Sequence, residues 1–169
     1  GLPGTATTVN LLRLDPFNPS TTAYLRVDNI FYKNTAYRTA GSWSAILTLA
    51  AADSLYDMQL TIAKPNLIYV LYLLNATDRL QVAHSHDGGT TWTTVALNNT
   101  GASGNLVVGQ YNFQKVWVGF QVAGPDGNQR STDGGHTFSD IGSSIGESVG
   151  HVMPYTGNSA ETTLYISDT

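Results

Sequence analysis

The histidines and aspartates of this chain have the types and spacings from which chemistry is built. His84 and His86 stand two apart in RLQVAHSH. On a strand they would share a face, as some metal ligands do. No third ligand is evident beside them, and His151 lies far along the chain. Asp87 and Asp133 each open an Asp-Gly-Gly triplet, in SHDGGTTW (85–92) and STDGGHTF (131–138), 46 positions apart. Two glycines permit left-handed torsions and a sharp reversal. The carboxylate can accept several backbone N–H bonds across that turn, and the Ser and Thr hydroxyls can bridge its ends. A structural role is therefore expected for Ser85, Asp87, Gly88, Gly89, Thr91 and Trp92. The same holds for Ser131, Asp133, Gly134, Gly135, Thr137 and Phe138. His86 and His136 fall on variable positions of the two boxes. They read as exposed polar residues on outer hairpins, and neither a metal nor another cofactor is expected.

The box recurs because the whole chain repeats. Trp43, Trp92 and Phe138 are spaced 49 and 46 apart, and Tyr24, Tyr69, Trp117 and Tyr165 are spaced 45, 48 and 48 apart. Two independent anchors give one period in the high forties. Each unit opens with an apolar segment: VNLLRL (9–14), MQLTIA (58–63), NLVVGQY (105–111) or SVGHVMPY (148–155). A turn follows, at Asp15–Pro19, Lys64–Asn66 or Thr156–Asn158. An aromatic-bearing strand comes next, then a third strand running into the box, such as RLQVAHS (79–85), then a fourth. Gly124–Asn128, GPDGN, reads as a hairpin turn between second and third strands. This is the grammar of a four-stranded meander. Residues 54–60, SLYDMQL, read as a short helical turn before the second unit. Units are expected at about 8–52, 57–99 and 104–142, with half of a fourth at 147–169.

Composition agrees with an all-β reading. Only two of twelve acidic residues are Glu, and the scarcity of Glu and Lys argues against helix. Charged residues are 12%, so neutral polar groups must carry the surface. The net charge of −4 and eight scattered basic residues offer no patch for nucleic acid. There is no cysteine, hence no disulfide and no thiolate metal site. The longest apolar run, NLIYVLYLLNA (66–76), is too short to span a bilayer and reads as a buried central strand. The chain starts at Gly1, which suggests a removed leader or a piece of something longer.

The two boxes resemble the Asp-box, or BNR repeat, of sialidases, xyloglucanase-like glycoside hydrolases, sortilin-type receptors and Ycf48-type assembly factors. The resemblance implies an all-β propeller of four-stranded antiparallel blades, with the boxes on outer hairpins. About three and a half blades are present. The first unit departs from the pattern: FYKNTAYRTAGSW (31–43) lacks Asp-Gly-Gly, and Asn34 is expected to replace the Asp in part within a looser hairpin. Propellers close with roughly four to eight blades. The remainder is expected from a longer chain, a second copy or another subunit.

The same resemblance frames the chemistry to look for. A sialidase-like site needs an arginine cluster, a Tyr nucleophile and an Asp acid/base. The five arginines are Arg13, Arg26, Arg38, Arg79 and Arg130, and Arg26 and Arg130 sit near strands that could face the axis. A xyloglucanase-like site needs two carboxylates across a cleft. The acids outside the boxes include Asp15, Asp28, Asp53, Asp57, Asp78, Asp126, Asp140 and Glu147. Arg26, Asp28, Arg130 and His151 are the candidate ligand-facing residues, with Asp28 read first as an ordinary turn aspartate before Asn29. Tyr69, Tyr72, Trp117, Phe120 and Tyr165 read as core between blades before they read as a sugar platform. No complete catalytic set can be assembled. The expected function is a non-catalytic, extracellular or cell-surface recognition module for a protein or glycan. The alternative is a fragment of a sialidase-like or xyloglucanase-like glycoside hydrolase.

Overall fold

A computed structural model of the chain describes residues 9–39, 41–100, 103–121, 128–141, 149–154 and 164–168. The described residues form strands and turns only, and no helix among them is long and apolar enough to cross a membrane. Three four-stranded antiparallel sheets and one two-stranded sheet follow one another along the chain. Residues 124–127 of the GPDGN turn, the Thr156–Asn158 turn and Glu147 lie outside the described residues, as does the side chain of His151. The chain divides between Asp53 and Ser54 into two compact units.

The first unit is a meander of β1 (Leu11–Leu14), β2 (Ala23–Val27), β3 (Ile30–Asn34) and β4 (Ser44–Thr48), paired in chain order. Its turns are fixed by acidic and amide side chains. Asp15 Oδ1 accepts the amides of Phe17 and Asn18 at 2.9 and 2.8 Å, while its Oδ2 accepts the Tyr24 hydroxyl at 3.2 Å. Asp28 turns β2 into β3 with φ 50°, and the Asn29 amide holds the carbonyls of Ala50 and Asp53. Buried Asn34 accepts the Ala36 amide and donates to the Gly41 carbonyl, so an amide side chain does here part of what Asp does in the later units.

The second unit holds the other sheets. One comprises β5 (Ser54–Leu60), β6 (Ile68–Leu74), β7 (Arg79–Ser85) and β8 (Thr93–Thr100). The next comprises β9 (Ser103–Val108), β10 (Val116–Gln121), β11 (Asn128–Ser131) and β12 (Ser139–Asp140), and β13 (Val149–Pro154) pairs with β14 (Leu164–Asp168). The first strands lie beside one another, β5 against β9 and β9 against β13, so these sheets converge on their opening strands. Polar bonds tie that seam: Leu106 N donates to Asp57 Oδ2 at 3.1 Å, and the buried Thr61 hydroxyl donates to Gly109 O at 2.6 Å.

Segment 54–60 is strand β5 and not a helical turn. Its pairing with β6 slips between Leu55 and Asp57, where Tyr56 is the extra residue. That bulge places the two buried apolar side chains, Leu55 and Met58, three apart, which imitates a helical period. The apolar run at 66–76 becomes β6, whose residues Ile68 to Leu73 are all buried. Leu67, Tyr69, Leu71 and Leu73 pack with Leu80, Val82 and Leu97 of their own sheet and with Leu106, Val108, Val116 and Val118 of the next. Each such side chain contributes about 1.5–3 kcal/mol when fully buried. This cluster holds the two sheets face to face. Tyr24, Tyr69, Trp117 and Tyr165 each occupy the second position of a second strand, and the first three are buried in that role.

Candidate functional site

The two SxDGGxT hairpins join β7 to β8 and β11 to β12, and they are built alike, bond for bond. Ser85 Oγ donates to Asp87 Oδ1 at 2.8 Å and accepts the Gly89 amide at 2.8 Å. Asp87 Oδ1 accepts the amides of Thr90 and Thr91 at 3.0 and 2.9 Å, and its Oδ2 accepts the Thr91 hydroxyl at 2.6 Å. In the second hairpin Ser131 Oγ donates to Asp133 Oδ1 at 2.7 Å and accepts Gly135 N at 2.8 Å. Asp133 Oδ1 accepts His136 N and Thr137 N, both at 3.0 Å, and Oδ2 accepts the Thr137 hydroxyl at 2.6 Å. Gly88, Gly89, Gly134 and Gly135 all have positive φ, from 75° to 96°. The first glycine amide of each pair reaches the turn before the second strand, Gly88 to Asn66 O and Gly134 to Gln114 O, both at 2.9 Å.

These bonds hold both carboxylates ionised. The Thr91 hydroxyl and amide, then Ser85 and Thr90, lower the pKa of Asp87 well below the usual range. Desolvation acts to raise that of Asp133, but the Thr137 hydroxyl and amide, Ser131 and His136 outweigh it, and the net shift is again strongly downward.

The second hairpin is clamped by the preceding sheet. Tyr69 of β6 is fully buried, and its hydroxyl donates to Gly134 O at 3.1 Å. Burial, and then the Asp133 charge, raise the Tyr69 pKa far above its ordinary value, so the phenol remains a donor. Tyr69 also stacks on His84, with ring centroids 5.9 Å apart and planes 20° from parallel. A Cβ built on Gly135 would stand 3.1 Å from Tyr69 Cε1 and 3.6 Å from His84 Cδ2, so glycine alone fits this contact without displacement.

At this junction three histidines meet. His84, at the end of β7, is 1% exposed, while His136 lies open to solvent. His84 Nδ1 is 3.1 Å from His86 Nε2. The His136 ring centroid lies 4.8 Å from that of His84 and 5.5 Å from that of His86. One nitrogen from each ring can be chosen so that all three lie within 4.8 Å of one another. His84 Nε2 is buried without a hydrogen-bond partner. Burial first, then His136 and His86, push the His84 pKa down to about 4 against a weaker pull from Asp133. Burial, His136 and Lys64 lower that of His86, with the Gly134 backbone and Asp87 opposing. Both rings are therefore held toward the neutral form at pH 7, in which each ring keeps one nitrogen lone pair.

His136 is the member that the sequence pattern did not bring to the pair. It occupies the sixth position of its box, and His86 occupies the second position of the box before. Aligning the boxes places these residues at different positions, and only the abutment of adjacent hairpins makes them neighbours. Among the other candidates, Arg26 and Asp28 line one shallow pocket of the first unit with Asn10, Asn29, Ile30 and Thr48. The Arg26 guanidinium donates to the Asp28 carbonyl at 2.8 Å, and Asp28 sits in the hairpin turn. Arg130 is exposed on β11, where its backbone pairs with Trp117 and Ser139. His151 follows a register shift in β13.

No protein-family model matches the sequence, and no curated protein matches it. Solved structures do resemble the fold. The GH74 enzyme of Niastella koreensis superposes with a TM-score of 0.64 at 20% identity, over 95% of this chain and 26% of its own. The GH74 xyloglucanase of Xanthomonas campestris gives 0.62 at 18% identity, over 80% of this chain and 21% of its own. Ycf48 bound to a D1 peptide gives 0.57 at 14% identity, over 82% and 42%. The chain thus spans about a quarter of the GH74 enzymes it resembles. These are β-propeller proteins, and the fold of this chain is of that all-β kind.

Proposed function

We propose that this chain is part of a non-catalytic Asp-box β-propeller, an extracellular or cell-surface scaffold that binds a protein or glycan. The observation that supports this reading is the employment of its carboxylates. Asp15 fixes a turn through two amides and Tyr24. Asp57 accepts Met58 N, Gln59 Nε2 and Leu106 N. Asp87 and Asp133 pin their hairpins, and Asp140 accepts Gln129 Nε2 at 2.7 Å. A glycosidase needs one carboxyl as acid and another as base or nucleophile, spaced for substrate or water. Carboxylates saturated by their own sheets are poor candidates for that work.

The competing reading, a fragment of a glycoside hydrolase, draws on the GH74 enzymes among the similar structures. Under it, Asp57 on the opening strand β5 is the acid to suspect. A panel of fluorogenic glycosides and xyloglucan oligosaccharides separates the two. The scaffold reading predicts no turnover above buffer, together with saturable binding to an immobilised glycan or protein ligand. Turnover that disappears in Asp57→Asn would replace it with the enzyme reading.

A further inference from the structure

We propose that His84, His86 and His136 form a transition-metal site of the zinc class, which ties the SxDGGxT hairpins of two successive sheets together. Three observations carry it. The three ligand nitrogens already lie within 4.8 Å of one another. A tetrahedral ion with Zn–N bonds near 2.0–2.1 Å holds its nitrogens about 3.3 Å apart, so the widest of these separations must close by about 1.5 Å. His136, the exposed member, is the ring placed to make that adjustment.

The second observation is the unpartnered nitrogen. When His84 Nδ1–H donates to His86, the Nε2 lone pair of His84 is left buried with nothing to accept from. An orphaned buried polar atom is costly, and coordination is what repairs it here. His84 Cδ2, the carbon bonded to Nε2, faces Gly135, so this nitrogen lies on the side of the ring that borders the hairpin of His136. The third observation is support for the ligands. Tyr69 stacks on His84 and simultaneously bonds Gly134, which fixes the buried ligand against the hairpin that carries the exposed one.

Three imidazoles with no carboxylate favour zinc, copper or nickel over magnesium or calcium, which take oxygen ligands. Exposure of His136 leaves a fourth position open to water or to a donor from a binding partner. The site joins β7 to the β11–β12 hairpin across the sheet boundary that the Tyr69 hydroxyl also bridges.

The test is titration of the chelator-treated full chain with zinc chloride alone at pH 7.4, followed by calorimetry and by thermal melting. One equivalent of zinc is expected to bind and raise Tm, with magnesium and calcium producing neither effect. Substituted cobalt should give the visible absorption of a low-symmetry four-coordinate ion. His136→Ala should retain the metal-free circular dichroism spectrum and melting point, and His136→Ala and His86→Ala should each weaken zinc at least about tenfold. No saturable zinc binding, or equal binding in both variants, would overturn the site.

Discussion

Replacing Tyr69 with Ala is expected to destabilise the second unit by about 3–5 kcal/mol, the cost of emptying a buried aromatic position. The side chain has no exposed surface and belongs to the cluster that joins two sheets. Its loss removes packing from both sheets, the stack on His84, and the donor to Gly134 O. Tyr69→Phe keeps the ring and loses the hydroxyl bonds to Gly134 O and Phe113 O, so a loss of about 1–3 kcal/mol is expected from it. Chemical denaturation of the three proteins measures both steps. A Tyr69→Ala cost below that of Tyr69→Phe would mean that the ring is not packed between the sheets.

Gly135→Ala is expected to cost roughly 2–4 kcal/mol, from two sources of comparable size. Its φ of 90° is a conformation that side-chain-bearing residues rarely adopt, and the new Cβ would stand 3.1 Å from a buried ring. Gly134→Ala separates the two. Its φ is 78°, but the nearest atoms to its Cβ are 3.9 Å away, in ordinary contact. It should therefore lose about 1–2 kcal/mol from backbone strain alone. Equal melting points for the two variants would show that the approach of Gly135 to Tyr69 carries no energy.

The strands were legible because each carries a clear local signal. β6 is a continuous apolar run because both its faces are covered, and β7 ends where SxDGGxT begins. The box could be read as a turn because Asp, Gly and Thr each have one physical task there, and those tasks are local. β5 was misread for an equally local reason: the bulge at Tyr56 shifts the alternation by one, and strand then looks like helix. The histidine cluster was half legible. His84 and His86 are neighbours in sequence, whereas His136 joins them across a sheet boundary. That contact is set by how one hairpin rests on the next, through Tyr69 and Gly135, and no periodicity within either hairpin encodes it.

Both hairpins are pinned by an ionised aspartate, and this can be measured at the carboxyl carbons. Carbon-13 NMR of Asp87 and Asp133, followed from pH 7 downward, should show both groups still ionised below their ordinary value of 3.8. Folded pKa values below the unfolded ones mean that the unfolded chain binds protons more readily. The stability supplied by these two groups is then fully present above about pH 5 and falls away as the pH drops through 3.8 toward the folded values. Asp87→Asn and Asp133→Asn should each flatten that acid limb. Midpoints near 3.8 for both carboxyls, or an acid limb unchanged in either variant, would contradict the account.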